Sequence, residues 1–363
     1  INLDNGYCNP LTRETLTDLV NRTRYIQQLP GKRLEELMID VSVKQLKPGL
    51  ARVLGVPPDE VAFTRNATEA LDTVILGLPM KAGDEIVCCS TDYYAMLDAI
   101  EQRRDRDGIV VRMIQPPFPA SSPEAITALY EREINSKTRL VLVTHASNLT
   151  GQIFPVKEIA RVAHRVGAEV VVDGAQTMAL LDHKVPDLDC DYYGASLHKW
   201  LAAPVGGGLL WMRKEHISKV WPLVPPPRGM RGMQRFEWCG TYPEFTFSAS
   251  VTAVKFHEKI GAPRKEARMR YLTHYWRAKV EKLPGIRFLA NENATCGLGV
   301  FEVANVDAAK IQKHLWEKHN ILVQRMTGES RLELSGIRVT PNIYTTTAEL
   351  DRFVNALKAY IKA

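Results

Sequence analysis

The chain of 363 residues lacks the features that mark several large protein classes. Its apolar runs are short, as in Leu140-Val-Leu-Val143 and Val170-Val-Val172, so no segment reads as a membrane span. The six cysteines, Cys8, Cys88, Cys89, Cys190, Cys239 and Cys296, fit neither a C-x-x-C zinc site nor a small disulfide scaffold. Reduced thiols are the expectation, with Cys88 and Cys89 as core residues of a strand. There is no Walker-type loop, H-E-x-x-H or G-x-S-x-G, which removes the common ATPase, zinc-protease and hydrolase readings. No G-x-G-x-x-G follows an early strand, and Val205-Gly-Gly-Gly208 has the wrong spacing, so a nicotinamide dehydrogenase is disfavoured. No internal repeat or low-complexity tract is visible. The net charge of +6 is spread out, and the densest basic clusters, at 103–106 and 264–268, also hold acids. They read as solvated helix faces rather than a nucleic-acid footprint.

What is present is an ordinary globular composition, 45% hydrophobic and 24% charged, in a chain long enough for two domains. Apolar strand-like runs lie at 61–64, 85–89, 109–114, 139–145, 169–173, 192–196 and 207–212. Helical patterns lie between several of them, at 68–78, 95–104, 123–134 and 155–166. Continuous apolar strands alternating with helices predict an α/β fold: a mostly parallel seven-stranded sheet with helices on both faces. A Pro-rich loop at 221–235 follows. Beyond it lie helical residues 247–283, interrupted at Pro263, strands at 299–303, 321–324 and 337–340, and helices at 307–319 and 347–361. These predict a smaller α+β C-terminal domain. The expected division is an N-terminal segment 1–35 packing on the small domain, a large domain 36–245 and a small domain 246–363.

In a parallel sheet, functional groups gather at the carboxyl ends of strands. Here those ends carry Asn66-Ala-Thr68 at the start of a helix, His145 and Asn148 after one strand, Asp173-Gly-Ala-Gln176 after another, and Ser196-Leu-His198-Lys199 after a third. Thr68 reads as the helix N-cap. Singly, each has a structural explanation. Together they suit pyridoxal phosphate. That cofactor needs a lysine amine, an acid beside the pyridine nitrogen, and a helix N-terminus with hydroxyls for the phosphate. Lys199, between His198 and Trp200 and ahead of Leu201-Ala-Ala-Pro204, falls in a partly apolar setting that lowers an amine's pKa.

The ordered segments Thr64-Arg-Asn-Ala-Thr-Glu-Ala70, Ser147-Asn-Leu-Thr-Gly-Gln152, Asp191-Tyr-Tyr-Gly-Ala-Ser-Leu-His-Lys-Trp-Leu201 and Gly336-Ile-Arg-Val-Thr-Pro-Asn-Ile-Tyr344 resemble the class V aminotransferases. These are fold-type I pyridoxal phosphate enzymes, and the likeness is to the isopenicillin N epimerase-like branch. The resemblance implies that Lys199 forms the Schiff base and moves the Cα proton. Asp173 pairs with the ring nitrogen and Gln176 with the ring hydroxyl. Asn66, Ala67, Thr68, Ser196 and His198 hold the phosphate, and Tyr93 or Tyr94 stacks on the ring. Gly240 and Thr241 reach a neighbouring subunit's phosphate in a homodimer with interfacial sites. Arg338 takes the α-carboxylate of a small-molecule amino-acid substrate, with Asn148 and Gly6 close by. The chemistry implied passes through an external aldimine and quinonoid to transamination or to epimerisation or racemisation. β-Elimination, as in C–S lyases, is the alternative, and a cofactor-binding regulatory module without turnover is the non-enzyme alternative. Residues 326–336 hold no cysteine, whereas cysteine desulfurases of this group carry one about there. Tyr93, Tyr94, His145 and Cys239 are the candidates for a second acid. Arg13, Arg231 and Arg235 are candidates for a second substrate carboxylate.

Four N-x-[ST] sites occur, at Asn21, Asn66, Asn148 and Asn293. A glycan on Asn66 or Asn148 would block the pocket, which argues against a glycosylating pathway. Cytoplasm is the expected compartment, with a bacterial periplasmic form if a leader is removed before Ile1.

Overall fold

The central strands form where β-branched and aliphatic residues run unbroken, as at 140–143 and 170–172, and their side chains alternate between two helix layers. A computed structural model describes residues 1–328 and 332–362. The large sheet consists of β1 (Val61–Thr64), β2 (Glu85–Cys89), β3 (Val110–Ile114), β4 (Thr138–Thr144), β5 (Glu169–Asp173), β6 (Tyr192–Ser196) and β7 (Gly208–Met212). Their order is β1-β7-β6-β5-β4-β2-β3. All neighbours are parallel from β6 to β3, and β7 runs antiparallel to both β6 and β1. The expected mostly parallel seven-stranded sheet is therefore the observed one.

Val141, Val143, Val170 and Val172 face one core, covered by the helices Lys47–Leu54, Pro123–Glu133, Val156–His164 and Glu244–Ile260. Leu140, Leu142 and Val171 face the other, covered by the helices Ala67–Gly77 and Tyr94–Asp107. Burial on both faces is why these strands carry no polar alternation.

Register places the strand ends side by side. Thr144 of β4 pairs with Asp173 of β5, and Asp173 with Gly194 of β6. Across the antiparallel strand, Gly208 of β7 faces both Ser196 and Thr64. Gly208 has to be glycine. A Cβ there would lie 2.6 Å from the Asn66 Cα, so only a bare backbone lets the turn after β1 close over β7.

The second sheet, in order β10-β11-β9-β8, is antiparallel. It comprises β8 (Ile286–Phe288), β9 (Gly299–Val303), β10 (Gln324–Gly328) and β11 (Leu332–Val339). The three-residue β8 has no sequence signature of its own. The expected strand at 321–324 is displaced, since β10 begins only at Gln324, and β11 extends the run at 337–340 back to Leu332, because backbone pairing between the two strands continues through the intervening polar residues. The helical stretch 247–283 divides at Gly261, whose φ is +85°, and Pro263 sits in the first turn of the second helix, Ala262–Val280.

Residues 2–5 are tied to the small sheet by bridges of Asn2 to Leu322 and Asp4 to Thr340. The helix Arg13–Gln28 lies on Glu244–Ile260, with Thr252 Oγ1 donating to Asp18 Oδ2 at 2.8 Å. No helix among the described residues is long and apolar enough to cross a membrane. The six cysteines are free.

Candidate active site

A cavity of about 360 Å³ opens at the carboxyl ends of β4, β5 and β6. Lys199, Asp173, Gln176, Asn66, Ala67, Thr68, Tyr93, Asn148, Ser196, His198, Arg338 and Gly6 all line it. Residues separated by more than 330 positions thus meet in one space.

The turn after β6 carries Lys199. Asn9 holds it from the N-terminal side: its N–H donates to the His198 carbonyl at 2.9 Å and its Nδ2 to the Lys199 carbonyl at 2.7 Å. From the other side, the buried Lys265 Nζ donates to the Trp200 carbonyl. The amine of Lys199 itself has no hydrogen-bond partner among the described residues. Burial brings it down to about 8, against the attraction of Asp173 and with the help of the Arg338 charge. About a tenth of molecules then present a neutral, nucleophilic amine at pH 7, far more than for an ordinary lysine.

Asp173 ends β5 and is buried. Its Oδ1 accepts the Ala175 N–H at 2.8 Å. Burial pushes its carboxyl up, opposed by Lys199 and by the Ala175 N–H. Gln176 is fixed at both ends of its amide, donating to the Gly6 carbonyl at 2.8 Å and accepting from Trp200 Nε1 at 3.0 Å.

The helix Ala67–Gly77 begins at the cavity wall. Asn66, and not Thr68, is its N-cap, with its side chain accepting the Glu69 N–H at 2.9 Å. Asn66 has the extended backbone of a cap, which leaves Thr68 two residues too far in. The Thr68 hydroxyl has no partner among the described residues. The Ala67 N–H donates to Ser196 Oγ at 2.9 Å, which joins the helix start to β6. His198 Nδ1 is buried without a partner among the described residues, and burial followed by the Lys199 charge brings the ring down to about 4.

Arg338, on β11, is already engaged. Its Nη2 donates to Asp4 Oδ1 at 2.9 Å and its Nη1 to the Asn148 carbonyl at 3.4 Å. The sequence offered no signal for Asp4 as its partner.

Other candidates lie elsewhere. Tyr94 opens the helix Tyr94–Asp107 and is 42% exposed, with its ring 4.5 Å from that of Tyr93. Gly240 and Thr241 are on an exposed turn outside the cavity. His145 packs edge-on against His183 at 4.9 Å, buried away from the cavity. Cys239 borders a separate small pocket with Arg65 and Glu69. Arg13, Arg231 and Arg235 do not line the cavity, and Arg235 Nη2 is spent on the Val220 carbonyl at 3.1 Å. Cys8, which sequence reasoning passed over, does line it, close enough to Lys199 for each to shift the other. Only adjacency to Gly6 could have pointed to it.

The residues present fit pyridoxal phosphate on structural grounds. The cavity joins a partly neutral lysine amine, a buried carboxylate, a capped helix start with an unused hydroxyl, and an unpartnered imidazole nitrogen. The comparisons agree. The chain belongs to the class V aminotransferase family, whose model matches residues 35–353 and whose cofactor is pyridoxal phosphate.

Within the family, the chain is 29% identical to isopenicillin N epimerase of Streptomyces clavuligerus, over 99% of this chain and 94% of that one. It is 25% identical to a probable cysteine desulfurase of Methanothermobacter thermautotrophicus, over 85% of this chain and 81% of that one. In fold it is similar to a cystine C–S lyase solved with its product, cysteine persulfide. The TM-score is 0.87 at 23% identity, covering 98% of this chain and 96% of that one.

Proposed function

We propose that this protein is a pyridoxal-phosphate enzyme that acts at the Cα of an amino acid, as an epimerase or racemase or as an aminotransferase. The observation that carries this reading is the meeting of Lys199, Asp173 and Arg338 in one cavity. When bound, the cofactor supplies an aldehyde for amines and a ring that accepts electrons from a broken Cα bond. Lys199 provides the amine that holds it and the base that carries the Cα proton. Asp173 keeps the ring nitrogen protonated, and Gln176 orients the ring through its hydroxyl. Asn66 holds the helix start in place, while Ala67, Thr68, Ser196 and His198 bind the phosphate. Tyr93 packs on the ring. Arg338 receives the substrate carboxylate, beside Asn148 and Gly6.

The exposed Gly240-Thr241 turn suits contact with a second copy of the chain, so the working form in this reading is a homodimer. Full-length similarity to isopenicillin N epimerase favours proton return to Cα. The second reading is β-elimination, supported by the relatives named as probable cysteine desulfurases. Residues 326–336 hold no cysteine to accept sulfur, which weighs against desulfuration itself.

The test is an absorption spectrum with added cofactor, before and after L-amino acids, for the wild type and Lys199→Ala. The expected result is a band near about 420 nm in the wild type alone, which a substrate amino acid shifts or bleaches. Chiral analysis, ammonia and pyruvate then separate epimerisation, transamination and elimination. The same band in the alanine variant, or none in either, would defeat the reading.

A further inference from the structure

The guanidinium assigned above to the substrate carboxylate is held by a carboxylate of the chain itself. Arg338 Nη2 donates to Asp4 Oδ1 at 2.9 Å, and the two side chains are only 4% and 9% exposed. The Nη1 contact with the Asn148 carbonyl is long, at 3.4 Å, and Nε is buried with no partner among the described residues. One nitrogen of the three is therefore well satisfied, although an arginine fork can serve a carboxylate with two.

Asp4 does not reach Arg338 from a loose tail. Its N–H donates to Asn2 Oδ1 at 3.0 Å. The Leu3 N–H donates to the Leu322 carbonyl at 2.9 Å, and the Leu3 carbonyl accepts the Thr340 N–H at 2.8 Å. The segment is pinned to the small sheet, so Asp4 presents its carboxylate at a fixed point.

We propose that Asp4 sets the selectivity of the site for carboxylate-bearing substrates by competing with them for Arg338. The inference rests on the reading of Arg338 as the carboxylate receptor. In the free enzyme Asp4 keeps a buried cation from standing unpaired. A substrate carboxylate that arrives at Nε finds Arg338 half neutralised and meets the negative charge of Asp4 beside it, so the two anions weaken each other. A ligand without a carboxylate leaves the pair intact and gains nothing from Arg338. Asp4 thus tempers the advantage that Arg338 gives to carboxylates.

Asp4→Asn keeps the shape and removes the charge. The cofactor-loaded enzyme is titrated with L-alanine and with ethylamine, the same molecule without its carboxylate and with one fewer carbon, following both the cofactor spectrum and the heat of binding. The expected result is an L-alanine dissociation constant about tenfold lower in the variant, with ethylamine unchanged to within about twofold. Unchanged or weaker L-alanine binding overturns the proposal, as does silence of both wild type and variant toward L-alanine. Asp4→Ser makes the same comparison if the asparagine variant does not fold. Arg338→Gln separates the two readings. If it leaves the preference for L-alanine over ethylamine untouched, Arg338 is not the receptor and both readings fall. If it abolishes the preference while Asp4→Asn tightens nothing, the competition alone is wrong.

Discussion

Strands β5 and β6 carry ionisable groups at both ends, and the two ends are built in opposite ways. At the amino ends, Asp191 accepts from His164 Nε2 at 2.9 Å, His216 Nε2 at 3.2 Å and the Val170 N–H at 2.7 Å. Glu169 accepts from Lys219 Nζ at 2.6 Å and from Tyr192 Oη at 2.5 Å. Burial would drive these groups toward their neutral forms, but the partners outweigh it. Glu169 falls to about 2 and His216 rises to about 9. At the carboxyl ends the partners are too few to offset burial, so Lys199 and His198 fall and Asp173 rises despite the Ala175 N–H. One end of the sheet satisfies its charges and stabilises the fold. The other leaves them underused, in the state a bound cofactor would complete.

The comparison breaks most readily at Asp173. Asp173→Asn should lower turnover of the loaded enzyme by at least about 100-fold while leaving the melting temperature unchanged or raised, because an unfavourably buried carboxylate is gone. Turnover and calorimetry on the same sample check this, and lost stability with intact turnover would reverse the two ends. Asp191→Asn should do the opposite. It should lower unfolding free energy by about 3 kcal/mol in urea titrations, since it breaks a buried charged network, with turnover per folded molecule unchanged.

Capture of cofactor by the cofactor-free protein should quicken by about tenfold per pH unit up to about 8 and then level off, as Lys199 loses its proton. Stopped-flow absorbance reads this, and a pH-independent rate would remove the neutral amine from the account. The smallest effect is at His216. Its folded value lies above its ordinary 6.5, so its contribution is complete below pH 6.5 and disappears as pH rises through about 9. The cost of burying the charged pair leaves about 1 kcal/mol of it. His216→Gln should flatten that alkaline decline in denaturation midpoints taken between pH 6 and pH 9.5.

The legible parts of the molecule were those written in neighbouring residues. Val170-Val-Val172 followed by Asp173 announces a buried strand with an acid at its end, and the segment from Asp191 to Leu201 announces Lys199 and its family. Ser122 and Asp307 cap helices where the pattern begins. The errors arise from ambiguities of two or three residues and from contacts over distance. Thr68 and Asn66 are both good caps, and only backbone geometry chooses Asn66. His145 follows a strand just as Asn148 does, yet its ring turns to His183. Asp4, Cys8, Asn9 and Lys265 meet the site across long separations that no local pattern encodes. The two N-terminal helices, Arg13–Gln28 and Pro30–Leu37, went unread because their apolar residues are sparse.

The bond network around Asn9 bears on when the protein becomes competent during its synthesis. Asn9 grips the Lys199 turn, and its own Oδ1 accepts from Asn342, while Gly6 accepts from Gln176 and donates to Thr340. The seven strands of the large sheet are complete once Met212 has left the ribosome. The clasp on Lys199 is not complete until residues 338–342 have followed and folded back on residues 4–9. A nascent chain can thus hold a finished sheet and still lack the clasp on the Lys199 turn, and contacts of such long range form slowly. The surroundings of Lys199 are therefore the last part of this region to be completed, after residues 338–342 have been made.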